Sequence, residues 1–94
     1  MYAVVRRYTD ASRLSDALVG HLDEIRSILA SVPGFKAYHA LRTADGGLVT
    51  MTVCEDQAGT QESSRRAAAW VRSNLAGLSL APPEIIEGEA FLSF

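Results

Sequence analysis

Cysteine, histidine, tryptophan and proline are all scarce in this chain of 94 residues, which holds one Cys, two His, one Trp and three Pro. A lone cysteine, Cys54, cannot form an intramolecular disulfide, so the sequence is not a cross-linked secreted scaffold and suits a reducing compartment. His21, His39 and Cys54 share no Cys-x-x-Cys or His-x-x-x-His spacing, and the sequence therefore predicts no metal site and no cofactor. No Gly-x-Ser-x-Gly elbow and no phosphate-cradling glycine loop occurs. An excess of basic charge is missing too: the net charge of −2 and a pI near 5.6 do not make a platform for nucleic acid. No apolar run approaches the roughly 20 residues that span a bilayer, and Arg6 and Arg7 interrupt the first apolar stretch before it can serve as a leader. The expectation is one soluble domain over residues 1–94, cytoplasmic, with neither nucleic-acid nor membrane partners.

What is present is a legible alternation of periods. Residues 2–8 are rich in aromatic and β-branched side chains and read as a strand. Asp10 or Ser12 can cap a helix whose apolar stripe runs Leu14, Leu18, Leu22, Ile25, Leu29 and Val32, at spacings of three and four. Pro33-Gly34 ends that helix. Residues 35–43 and 48–55 then form a hairpin about Asp45-Gly46-Gly47, where Asp-Gly tolerates the positive φ of a tight turn. Asp56 can cap a second helix with an Ala-rich middle and a stripe of Ala67/Ala68, Val71, Leu75 and Leu78, closed by Gly77. Pro82-Pro83 enforces an extended link to a last strand over 84–92. The order β-α-β-β-α-β with right-handed crossovers predicts an α+β fold, a ferredoxin-like antiparallel sheet with both helices on one face.

The strand over 48–55 sorts into Val49, Met51 and Val53 on one face and Leu48, Thr50, Thr52 and Cys54 on the other. The second set is small, mildly polar and uncharged, so it is expected to be the face away from the helices, covered by a second copy of the chain. Pro33-Gly34-Phe35 leading into strand two, the Asp45-Gly46-Gly47 hairpin and Cys54-Glu55-Asp56 before helix two together resemble the dimeric α+β barrel superfamily, the group with antibiotic-biosynthesis monooxygenase-like domains. The resemblance covers nearly the whole chain. It implies two ferredoxin-like sheets face to face in a homodimer, with a small cavity between sheet and helices in each subunit. Some relatives are cofactor-free monooxygenases and some degrade haem. The haem-degrading branch pairs an Asn on the first strand with a Trp and a His on the second helix. Here the first strand has Arg6 and Arg7, and helix two has Trp70 but no His. The monooxygenase branch uses Asn, Trp and Tyr about its cavity, and the single Asn of this chain, Asn74, does not match that motif.

The candidate ligand-binding residues are Trp70, His39, Tyr38 and Arg66. His39 can titrate near neutral pH, or serve as a hydrogen-bonded or interface residue. Its face depends on the hairpin, since a two-residue turn sets it against Thr52 and a three-residue loop against Met51 and Val53. His21 is expected to be exposed. Trp70 with Arg65, Arg66 and Arg72 can hold an anionic aromatic ligand by stacking and ion pairing. Alternatively the arginines form a solvated face paired to Glu62, with Trp70 closing the core. Cys54 has no neighbouring base in the sequence and reads as a small sheet residue. Two functions follow: a homodimeric, non-catalytic domain binding a small apolar or anionic molecule, or a cofactor-free monooxygenase-like enzyme acting on an aromatic substrate. A pocket larger than a few waters, walled by Trp70, Tyr38 or His39, favours the second; a filled core favours the first.

Overall fold

Strand β1 (Tyr2–Tyr8) is one of the two central strands of the sheet, and everything else is organised about it. The computed structural model describes residues 1–78 and 80–94. In chain order β1 is followed by helices α1 (Ser12–Gly20) and α2 (Leu22–Ala30), strands β2 (Phe35–Arg42) and β3 (Leu48–Cys54), helix α3 (Gln57–Asn74) and strand β4 (Glu84–Glu89). The sheet order is β2-β3-β1-β4 with every neighbouring pair antiparallel, the ferredoxin-like arrangement. The last strand ends at Glu89, three residues short of the sequence expectation, and Phe91, Leu92 and Phe94 beyond it are exposed.

The single first helix of the sequence reading is two helices. They meet at Gly20-His21, where His21 leaves helical geometry at φ −120° and ψ 29°. Glycine is the weakest ordinary helix former, and a break there turns the following residues out of the stripe. Leu14 and Leu29 remain buried, but Leu22 is 53% exposed and is not a core residue. Neither Asp10 nor Ser12 caps α1: its N-cap is Ala11, with no side-chain bond, and Asp10 sits at φ 49°. Asp56 does cap α3, accepting from the Gly59 amide at 3.0 Å. That helix stops at Asn74, before Gly77.

The face assignment of β3 is the reverse of the one expected. Leu48, Thr50, Thr52 and Cys54 are buried beneath the helices, whereas Val49, Met51 and Val53 look away from them. The reason is the close approach of α3. A Cβ on Gly59 would lie 2.8 Å from the Cys54 Cβ and 3.0 Å from the Pro33 carbonyl oxygen. A helix seated that near the sheet needs short side chains under it, and threonine and cysteine supply them. Mild polarity was a sign of small size there, not of exposure. The helix-free face gathers Ala3 and Val5 of β1, Met51 and Val53 of β3 and Ile86 of β4 in adjoining register rows, with His39 beside Met51 and a further row of Leu41, Val49, Arg7 and Glu84. Its middle is apolar and uncovered by any described element, with Ile86 59% and Met51 36% exposed.

Candidate functional site

Strand β1 alternates Val4-x-Arg6-x-Tyr8 toward the helices, which places a guanidinium among apolar side chains. Arg6 is only 4% exposed. Its Nη1 donates to Thr52 Oγ1 at 3.3 Å, and its Nη2 donates to Ser63 Oγ at 3.2 Å and Ser64 Oγ at 2.7 Å. All three acceptors are neutral hydroxyls. Among the described residues no carboxylate lies within ion-pair distance of Arg6. Buried charges are ordinarily paired, so an unneutralised guanidinium is the anomaly of this fold. Burial lowers its pKa from the usual value, yet an arginine at neutral pH remains a cation.

Two hollows meet at Arg6. The inner one is a chamber of about 50 Å³ between sheet and helices. Its walls include Arg6, Tyr8, Tyr38 and Thr50 from the sheet, with Ile28 and Trp70 from α2 and α3. The outer one is an open cleft of about 630 Å³ between α3, residues 75–78 and 80–83, and the β4 edge. Arg6, Tyr8, Ala67 and Val71 line both, so side chains alone separate chamber from cleft.

Tyr8 and Tyr38 cannot neutralise Arg6. Burial pushes both phenols above the ordinary tyrosine value, against the opposing pull of the Arg6 charge, so both stay protonated at neutral pH. The chamber therefore offers one cation and two neutral phenols, chemistry that accepts an anion.

Trp70 is fixed from outside the chamber: its indole Nε1–H donates to the Glu24 carboxylate, and the His21 ring meets it edge-on at 5.3 Å. The break between α1 and α2 is what brings His21 and Glu24 to it. The sequence candidates are thus divided. Trp70 and Tyr38 line the chamber together. His39 lies on the opposite face of the sheet, paired in register with Met51, as the longer hairpin loop requires. Arg66 is outside as well: it donates to Glu62 at 2.7 Å and to Ser31 Oγ at 2.8 Å, tying α3 to the end of α2. Arg65 donates to the same carboxylate at 2.9 Å, and the two arginines hold the Glu62 pKa down to about 2. Of the three arginines on α3 only Arg72 reaches either of the two hollows that meet at Arg6, in the wall of the outer cleft.

Arg6 itself was passed over by sequence reasoning, although one signal was available: a charged residue at an inward position of a β-branched strand. Cys54 is buried and its thiol is pushed up in pKa, first by burial and then by Asp56, so it is a poor nucleophile. Among the described residues no group of three or more His, Cys, Asp or Glu gathers in a way that could hold a metal. No described helix is long and apolar enough to cross a membrane.

No family model and no curated protein matches this chain. Solved structures do. A protein of unknown function from Nitrosomonas europaea superposes with a TM-score of 0.74 at 25% identity, over 99% of this chain and 91% of that one. A monooxygenase from the ActVA-Orf6 gene of Streptomyces coelicolor, solved with the ligand nanaomycin D, gives 0.71 at 18% identity over 99% and 89%. A dimeric ferredoxin-like protein from an uncultured marine organism gives 0.70 at 10% identity over 99% and 95%. These likenesses establish the fold, a ferredoxin-like one that this chain shares with the Streptomyces coelicolor monooxygenase and the marine ferredoxin-like protein.

Proposed function

We propose that this chain is a small-molecule-binding domain whose ligand places an anionic group against Arg6, in the chamber walled by Tyr8, Tyr38 and Trp70. The observation that carries the reading is the buried guanidinium with no carboxylate partner. A cation in direct contact only with hydroxyls, with Glu87 acting on it from beyond ion-pair distance, bears a desolvation cost that an arriving anion would offset. His39 and Arg66 take no part at this site; His39 is a residue of the outer sheet face.

The domain works as a homodimer through that outer face. Its register of Ala3, Val5, Met51, Val53 and Ile86 is a contiguous apolar surface that no described element covers. The likeness to a ferredoxin-like protein described as dimeric supports a dimer. Met51→Asp would set a charge at its centre and dissociate the pair in sedimentation equilibrium; a wild-type protein that stays monomeric at high concentration would refute it.

The binding reading is tested by thermal shift with carboxylates and their neutral amides of matched shape. Carboxylates raise the melting temperature of the wild type, amides do not, and Arg6→Met abolishes the difference. Equal responses to acid and amide in the wild type would overturn it. A second reading, a cofactor-free monooxygenase-like enzyme acting on an aromatic substrate, is favoured by the likeness to the ActVA-Orf6 monooxygenase. Oxygen consumption during the same titration separates turnover from binding.

A further inference from the structure

The two hollows differ in size by more than tenfold, and that difference defines the ligand. A dry cavity of about 150 Å³ is what benzene needs in a protein core. The inner chamber holds about 50 Å³, room for a few waters or one small polar group and not for a ring. The outer cleft, at about 630 Å³, lies within the range of ordinary small-molecule sites, roughly 300–1,000 Å³. Its wall is largely apolar, with Ala68, Leu75, Leu78, Leu80 and Ile85, and carries one further cation, Arg72.

Resting on the anion-binding reading above, we infer that the ligand is an apolar monocarboxylic acid bound head-in and body-out. The carboxylate passes between Tyr8 and Ala67 to Arg6, and the aromatic or acyl body lies in the cleft between α3, residues 75–78 and 80–83, and the β4 edge. Arg6 is the one buried cation in the described structure, so a single negative charge is matched and a phosphate dianion is not. A phenol is neutral at pH 7, with a pKa near 10, whereas a carboxylic acid is already ionised. Three of the five guanidinium N–H groups are engaged by Thr52, Ser63 and Ser64, which leaves two donors for the carboxylate.

The test uses the full chain, whose single tryptophan, Trp70, lines the chamber and reports directly on it. Acetate is the head alone, 2-naphthoate is head with body, and 2-naphthamide is the body with a neutral head. The expectation is that 2-naphthoate perturbs Trp70 fluorescence with an affinity at least tenfold above that of acetate or 2-naphthamide, and that acetate competes with it. Ala68→Phe, which fills the cleft from an exposed helix position, weakens 2-naphthoate tenfold or more and leaves acetate within twofold. If Ala68→Phe weakens both acids equally or neither, the body does not lie in the cleft, and the inference falls while the Arg6 reading stands. If 2-naphthoate and 2-naphthamide bind alike, or no acid binds, the Arg6 reading itself falls and takes this one with it.

Discussion

Replacing Arg6 by methionine separates a binding role from a structural one, because the two roles give different stabilities and different responses to ligand. Methionine has a similar reach and fills irregular space without charge. The guanidinium makes three hydrogen bonds, at 2.7, 3.2 and 3.3 Å. Bonds to a charged group contribute about 1.5–3 kcal/mol each, and the two longer ones belong at the low end. Against them stands the effective cost of burying an ion, several kcal/mol after relaxation, which no carboxylate in direct contact offsets and Glu87 offsets only from a distance. Ser63 keeps its bond to the Thr60 carbonyl at 2.7 Å when the arginine is gone, whereas the Thr52 hydroxyl, fully buried, loses its donor. These contributions cancel to within about 2 kcal/mol, so Arg6→Met should leave urea stability within that margin of wild type. Removing one partner of a buried ion pair would instead cost about 3–5 kcal/mol. The second half of the experiment adds a carboxylate at a hundred times its dissociation constant. That concentration stabilises the wild type by about 2.7 kcal/mol and the variant by nothing. In a domain of this size the shift is on the order of 10 °C in Tm. A destabilisation of 3 kcal/mol or more, together with an unchanged ligand response, would show that Arg6 is a structural group.

Three further outcomes follow from the architecture. Leu29→Ala should cost about 2–5 kcal/mol and Leu22→Ala about 0.5 kcal/mol or less, because only Leu29 is buried; equal denaturant midpoints would put the α1–α2 break in the wrong place. Gly59→Ala gains about 1 kcal/mol of helix propensity but forces a Cβ against Cys54 and the Pro33 carbonyl, an overpacking of about 1–3 kcal/mol, so chemical denaturation should find a net loss; a gain would mean that α3 can lift off β3. Glu62 has a folded pKa of about 2 against a model-peptide value near 4.5, so its contribution is complete above that value and is lost as pH falls through the folded one. Thermal scans between pH 5 and 2 should therefore show a smaller drop for Glu62→Gln than for wild type, and parallel curves would mean that the Arg65 and Arg66 pairs contribute nothing.

The element order was readable from the sequence because it rests on local signals. Pro33-Gly34, the Asp45-Gly46 turn and the Asp56 cap each act within a few residues, and all three stand where expected. Two misreadings share a cause, which is that packing partners decide what periodicity leaves open. The stripe through Leu22 is continuous in sequence, yet Gly20-His21 breaks the helix, and nothing in the spacing of leucines records it. The faces of β3 were inverted because threonine is equally at home in water and under a close-packed helix, and the seating of the following helix at Gly59 makes the choice. The site was legible only in part. Aromatic residues of α3 and β2 drew attention to Trp70 and Tyr38, which do line the chamber, but the obvious cations of α3 are mostly taken up by Glu62. The buried cation, Arg6, stands on the helix-facing side of β1 next to the outward Arg7, and its lack of an ion-pair partner is a property of the folded chain.

That lack of a partner can be watched directly in the Arg6 side chain by 15N-edited NMR. Its Nε–H makes no hydrogen bond to a described residue and is therefore free to answer to a ligand. The account predicts that saturating 2-naphthoate moves the Arg6 Nε–H proton downfield, as a charge-assisted hydrogen bond forms, while 2-naphthamide leaves it in place. An Arg6 signal unmoved at full occupancy of Trp70 quenching by 2-naphthoate would contradict it, since the acid would then be bound without meeting the buried charge.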